Sequence, residues 1–357
     1  MTGLRRAEAA STAQAGYTLV EVLVSTAVML AVGSAVVSLL GPAHRASRLQ
    51  PEVSDLQQRL RVAAGMLYKD LVMAGAGLYQ GGEGARTGPL AQFFAPILPY
   101  RAGRMGSDPA RGVFHRDDAV TIVYVPATAA QSTIGERVDA SSDVVVRSQP
   151  GCPQDDGGCG FEPGMSILLF DDTTAWDAFE VTEVQGSALR VTHRGQNFTR
   201  PYEPGATVVQ AEWHTYYFDA AQHQLRHYDG LHTDVPIVDN VAGLHFTYFG
   251  TPDPPAGPMP EPGQENCAID RAGLPSLLPL PSAGRSLVEL SPAILTDGGP
   301  GAVRWCGANG NVFDPDLLRV RSVRVRIRMR AGSEARGAVP DGEIVFDVTP
   351  RNLAHVR

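Results

Sequence analysis

The chain has 357 residues, 43% of them hydrophobic, enough to bury the core of one large domain or two modest ones. Its formal net charge is −8, which argues against a general nucleic-acid binder, because such proteins carry a basic footprint. Lys69 is the only lysine, and 38 Gly with 27 Pro predict a loop-rich fold.

Residues 1–16, MTGLRRAEAASTAQAG, contain Arg5 and Arg6 and no apolar core. An ordinary secretory signal places its apolar region before the cleavage point. Here that region follows instead, as GYTLVEVLVSTAVMLAVGSAVVSLL from Gly16 to Leu40. Residues 17–40 carry a single charge, Glu21, and about 20 apolar residues of helix suffice to span a bilayer. An acid inside such a span is a functional signal by default, because bare carboxylates are costly in hydrocarbon. The Arg pair places residues 1–16 on the cytoplasmic side and the chain after about residue 41 outside.

Gly16-Tyr17-Thr18-Leu19-Val20-Glu21 resembles the class III, prepilin-type signal of type IV pilins and type II secretion pseudopilins. The resemblance implies that residues 1–16 are a leader and that a prepilin peptidase cuts after Gly16. It implies that Tyr17 becomes the N-methylated mature terminus and that Glu21 is the assembly acid. The family usually has Phe or Met where Tyr17 stands, and basic residues nearer the Gly than Arg5 and Arg6.

Beyond the span, Gly41-Pro42 is expected to kink or locally melt the helix, and Pro51 to open a fresh segment. Val53, Leu56, Leu60, Ala63, Leu67, Leu71 and Ala74 follow helical spacing, so residues 41–78 read as an amphipathic continuation of the stalk. Arg59, Arg61, Lys69 and Asp70 fall off that stripe. Gly75, Gly77 and Gly81-Gly82 are expected to end the helix.

Residues 79–357 read as a β-rich domain exposed to the periplasm or the outside. Strand patterns occur at Ala119–Val125, Asp143–Arg147, Ser166–Phe170, Ala178–Val184, Ala188–His193 and Glu212–Phe218. Others occur at Gln224–Tyr228, Gly243–Phe249, Ser322–Arg330 and Glu343–Val348. Gln185-Gly186-Ser187 looks like a tight turn, and no helix-length periodic segment follows Gly77. The expected class is α+β: a long N-terminal helix, half of it transmembrane, packed on a mostly antiparallel sheet domain. A Pro-rich insertion, about 251–301, forbids a central strand and reads as a surface excursion pinned by Cys267.

Two later passages extend the resemblance. Tyr216-Tyr217-Phe218-Asp219 with Gln224–Gly230 is similar to a hairpin of PilW-type minor pilins and J-type pseudopilins. Val238–Tyr248 resembles the segment that follows it there, and the Arg321–Arg330 strand with Arg351-Asn352-Leu353 suits the same group.

Four cysteines, an even number in an exported domain, predict disulfides and allow three pairings. Cys152–Cys159 with Cys267–Cys306 is expected, because the first pair closes a short turn-rich loop. Val323–Arg330 alternates strictly, which puts four arginines on one face. A solvated sheet edge is the favoured account of them, ahead of a basic stripe facing DNA, phospholipid or an acidic subunit. His223 and His227, with His232 nearby, lie too far apart along a strand, roughly 13 Å, to share a zinc ion. Asp155-Asp156 and Asp171-Asp172 read as exposed turn acids rather than a calcium site. The usual nucleophile, zinc-protease and phosphate-loop motifs are absent.

The expectation is therefore no catalytic residues, no metal and no cofactor: a minor pilin or pseudopilin that primes or caps a type IV pilus or type II secretion pseudopilus. The partners implied are the prepilin peptidase, the major pilin, other minor pilins or pseudopilins, the inner-membrane assembly platform and inner-membrane lipid. Before assembly such a subunit crosses the inner membrane once, with its globular domain in the periplasm. The alternative is a periplasmic binding module or enzyme held by a single uncleaved anchor.

Overall fold

The computed structural model describes residues 16–77, 94–100, 116–127, 129–148, 152, 157–171, 176–191, 198, 200–254, 270, 272, 274, 277–296, 315–332 and 339–353. The chain divides into two compact units, Met1–Ser54 and Asp55–Arg357. One helix, α1 (Leu19–Met73), runs through the boundary.

The helix continues through Gly41-Pro42 and Pro51, so the chain neither melts at the first nor restarts at the second. Each proline removes one backbone donor, and the residues around it can keep their own helical bonds. After Met73 the turn Ala74–Gly77 closes the helix, with Gly75 and Gly77 at φ +74 and +70. A Cβ on Gly77 would meet Val125 at 2.6 Å, so this close approach needs glycine as much as the dihedral does. The Gly75 N–H donates to the Val123 carbonyl and the Val125 N–H to the Ala76 carbonyl, which ties the helix end to the sheet.

Every paired strand among the described residues is antiparallel. The first sheet is ordered β1 (Ile97–Pro99), β2 (Ala119–Tyr124), β9 (Glu212–Asp219), β10 (Gln224–Tyr228) and β11 (Asp234–Asp239). The second is ordered β13 (Val288–Leu290), β12 (Val241–Gly250), β14 (Val320–Met329) and β15 (Gly342–Val348). The third is ordered β3 (Gln131–Thr133), β8 (Thr207–Gln210), β5 (Ser166–Phe170), β6 (Trp176–Gln185), β7 (Ala188–Val191) and β4 (Val144–Val145). The chain is α+β. Gly186-Ser187 forms the tight turn between β6 and β7, with Gln185 opposite Ala188 and Gly186 at φ +61.

The apolar stripe of α1 is core. Leu56, Leu60, Ala63, Leu67, Leu71 and Ala74 are buried in one cluster with Trp213, Tyr216, Phe246 and Ile327 of the first two sheets. A Cβ on Gly342 would lie 2.5 Å from Leu56 Cδ2, so the helix rests directly on β15. The stripe differs from the expected one in two places. Val53 is exposed, and Asp70, expected off the stripe, is buried. Asp70 stands seven residues after Ala63 and three after Leu67, a spacing that returns it to the inward face. The third sheet closes a separate cluster around Ile134, Phe161, Leu169, Phe179 and Tyr202.

The Pro-rich insertion contains the edge strand β13 and a four-residue helix, α2 (Pro292–Leu295). Cys267 lies outside the described residues. Arg319, only 1% exposed, holds the excursion's described ends. Its guanidinium donates to the carbonyls of Pro252, Asp253 and Leu278 and to the Asp316 carboxylate at 2.7–3.2 Å.

The contrast between the two faces of α1 is measurable. Leu67→Ala is expected to cost about 2–5 kcal/mol, because Leu67 is fully buried. Val62→Ala, at a position 44% exposed, is expected to stay within about 0.5 kcal/mol of wild type. Chemical denaturation of the detergent-solubilised chain checks both; equal losses would mean that the stripe is not core.

Candidate functional site

The helix start is built by its own first residues. Gly16, Tyr17 and Thr18 precede α1, which puts Thr18 at the N-cap and Glu21 at the third helical position. The Glu21 N–H donates to Thr18 Oγ1 at 3.3 Å, and the Thr18 N–H reaches Glu21 Oε2 at 3.5 Å. This reciprocal pair is a capping box, which satisfies two otherwise orphaned backbone donors. The acid also sits at the positive end of the helix dipole. Thr-x-x-Glu before an apolar run is legible in sequence, yet the chain's resemblance drew attention only to the acid.

Behind the box, Leu19–Ser38 is long and apolar enough to cross a membrane. All its large apolar side chains are exposed. Its hydroxyls bond back to their own helix: Ser25 to the Glu21 carbonyl, Thr26 to Val22, Ser34 to Ala31 and Ser38 to Ala35. Such back-bonding leaves no hydroxyl proton seeking a partner from an apolar neighbour. The span therefore presents hydrocarbon along its length, with one carboxylate at its opening turn.

The other sequence candidates are dispersed. Cys152 and Cys159 form a disulfide with Cα atoms 4.6 Å apart, while Cys267 and Cys306 lie outside the described residues. Asp155, Asp156 and Asp172 also lie outside them. Asp171 is a correction: it is buried rather than exposed, and its carboxylate pairs with Arg200. His232 pairs with Glu180 at 3.1 Å, and His223 occupies a turn at φ +54. His227 instead meets His214 and Asp70, two residues that no local spacing connects.

The chain is similar to a pilin-like protein. The relative is the pilin-like protein PilA3 of Thermus thermophilus, 28% identical over 165 residues. The match covers 45% of this chain and 65% of the relative, just under two thirds of that protein's length. No family model matches the chain, and no solved structure matches it.

The arginine face of β14 is matched by acids on β15. Arg324 makes a two-pronged bond to Asp347 at 2.7 and 3.0 Å, and its guanidinium lies over the Phe249 ring at 5.1 Å. Arg328 lies 3.5 Å from Asp341 and 3.9 Å from Glu343. These are exposed pairs, which contribute little to stability each, but they offset the charge of Arg324 and Arg328. β14 lies between β12 and β15, so the arginines do not guard a sheet edge as expected, but their exposed pairing favours a solvated outer face over a face for DNA or phospholipid.

The hydrogen bond from Arg324, ahead of its charge, holds the Asp347 carboxyl below the ordinary carboxylate range. The sign follows: whatever stability the pair contributes is fully present above the unfolded pKa of about 4 and is lost as pH falls through the lowered folded value. A carboxyl NMR titration is expected to place the Asp347 midpoint below the ordinary carboxylate range, and Arg324→Gln to raise it. An Asp347 midpoint unmoved by Arg324→Gln contradicts the pairing.

Proposed function

We propose that the chain is a pilin-like structural subunit, a minor pilin or pseudopilin, and not an enzyme. The observation that carries this reading is the apolar helix Leu19–Ser38, exposed throughout, with Glu21 in its first turn five residues after Gly16. Eleven large apolar side chains from Leu19 to Val37 are exposed. Covering each contributes roughly 1.5 kcal/mol or more, and the sum is comparable with the whole stability of a domain, about 5–15 kcal/mol. Such a surface requires a permanent cover, either lipid or the same surface on neighbouring subunits. The similarity to the Thermus pilin-like protein supports the second cover as well as the first.

In this reading the peptidase cuts after Gly16 and methylates Tyr17. The subunit waits in the inner membrane by α1 with its β domain in the periplasm. An assembly platform then extracts it, and the apolar helices of successive subunits bundle. The amine of an adjacent subunit's Tyr17 is the natural partner for Glu21, a pair that sets axial register in a low-dielectric bundle. The passages that resemble PilW-type and J-type subunits support a place in the minor, priming or capping class.

The capping box makes a sharper experiment possible. Gln serves at the third helical position as well as Glu, so Glu21→Gln keeps the cap and removes the charge. Glu21→Ala removes both. Both variants are expected to be cleaved normally. If the charge pair drives assembly, both are depleted in sheared filaments relative to membranes by on the order of tenfold or more, since orphaning a fully buried partner costs roughly 3–5 kcal/mol. Normal incorporation of Glu21→Gln with loss of Glu21→Ala assigns the residue to the cap alone and overturns the pairing.

A further inference from the structure

We propose that Asp70, His214 and His227 form a binding site for a zinc-type divalent cation that staples α1 to the first sheet. One ligand atom from each residue lies within 4.8 Å of the others. His214 Nδ1 is 2.8 Å from His227 Nε2 and 3.4 Å from Asp70 Oδ2. Tetrahedral zinc with bonds of about 2.0–2.1 Å needs ligand atoms roughly 3.3 Å apart. The His214–Asp70 spacing meets this requirement already, and a small rotation of either imidazole opens the other. Two imidazoles and a carboxylate are a donor set for zinc and its late first-row neighbours rather than for calcium or magnesium.

The surroundings are those of oriented ligands. Glu212 Oε2 lies 3.2 Å from His214 Nε2, so the carboxylate draws the proton to that nitrogen and leaves the Nδ1 lone pair facing the cluster. The Tyr124 ring stacks on His214 with centroids 5.1 Å apart and planes 7° from parallel. The Tyr216 hydroxyl donates to Asp70 Oδ2 at 2.6 Å, fixing the carboxylate. Asp70 is 5% exposed, and its ion-pair partner among the described residues is His214. A carboxylate buried this deeply calls for positive charge. A proton on His214 is the competing source, bridging Asp70 and Glu212 without any metal.

The three ligands come from different places in the chain: α1, β9 and β10. A cation there ties the stalk helix to the central hairpin, and its binding free energy becomes folding free energy.

The test uses the full-length chain in detergent, stripped with chelator and titrated with Zn(II) against a chromophoric competitor. Saturable binding at one site is expected, together with a rise in Tm that the chelator reverses. His227→Gln and His214→Gln are expected to lose at least about tenfold in affinity, and Glu212→Gln about 10–100-fold, as for other outer-shell carboxylates. X-ray absorption of the zinc-loaded wild type needs no variant and is expected to show two imidazoles with oxygen. Absence of saturable binding leaves the proton on His214 as the answer and overturns the proposal. Equal binding by wild type and His227→Gln, or a first shell without imidazole, overturns it as well.

Discussion

An apolar helix surface must be covered, and α1 carries two such surfaces that obey different rules. From Leu56 to Ala74 the apolar residues recur on one stripe, and two β-sheets of the same unit cover them. From Leu19 to Ser38 they occupy every side of the helix, and all of them are exposed. One-sided patterning is solved within the fold. All-round patterning has no intramolecular solution, because one sheet face covers only one side of a cylinder. Lipid or identical helices supply a cover of the right symmetry. The functional reading follows from that mismatch.

In the proposed assembly, the single acid in the exposed segment serves two scales at once. Within the chain, Glu21 closes a capping box with Thr18 and completes the first helical turn. Between chains, the same carboxylate is the only side-chain charge the span offers to a neighbour. A residue that a helix already needs for its own start is a low-cost place to carry a register signal. The local bonds, long at 3.3 and 3.5 Å, leave it free to exchange one partner for another.

What the sequence made legible was local. The strands at Ser166–Phe170 and Gln224–Tyr228 stand within their expected bounds, the first as a short continuous apolar run buried on both faces and the second next to a turn. Short edge segments escaped notice: β1 and β3 have three residues each, and β11 carries Pro236. An edge strand tolerates a proline that a central strand does not, which suits the place of β11 at the edge of the first sheet. The two prolines of α1 do not interrupt the helix, since each removes only one donor from a long one.

The Asp70 cluster was illegible for a different reason. Asp70 belongs to the inward face of α1, but an acid on a stripe reads as a gap in it. Of its partners, His227 pairs with Tyr216 across the β9–β10 hairpin and His214 stands two residues before Tyr216 on β9, and sequence spacing alone assigns neither to the helix. The same is true of Arg319, whose carbonyl acceptors lie in the Pro-rich insertion. Long-range polar contacts carry no periodic signature.

The central claim is that residues 1–16 are removed to leave a methylated Tyr17 at the head of an apolar helix. Intact mass and N-terminal sequencing of the protein purified from membranes measure this directly. The account predicts a chain starting at Tyr17 and carrying one added methyl group, and a Gly16→Ala variant that retains residues 1–16. A wild-type chain that keeps its residues before Tyr17 would contradict it and leave the uncleaved anchor as the better description.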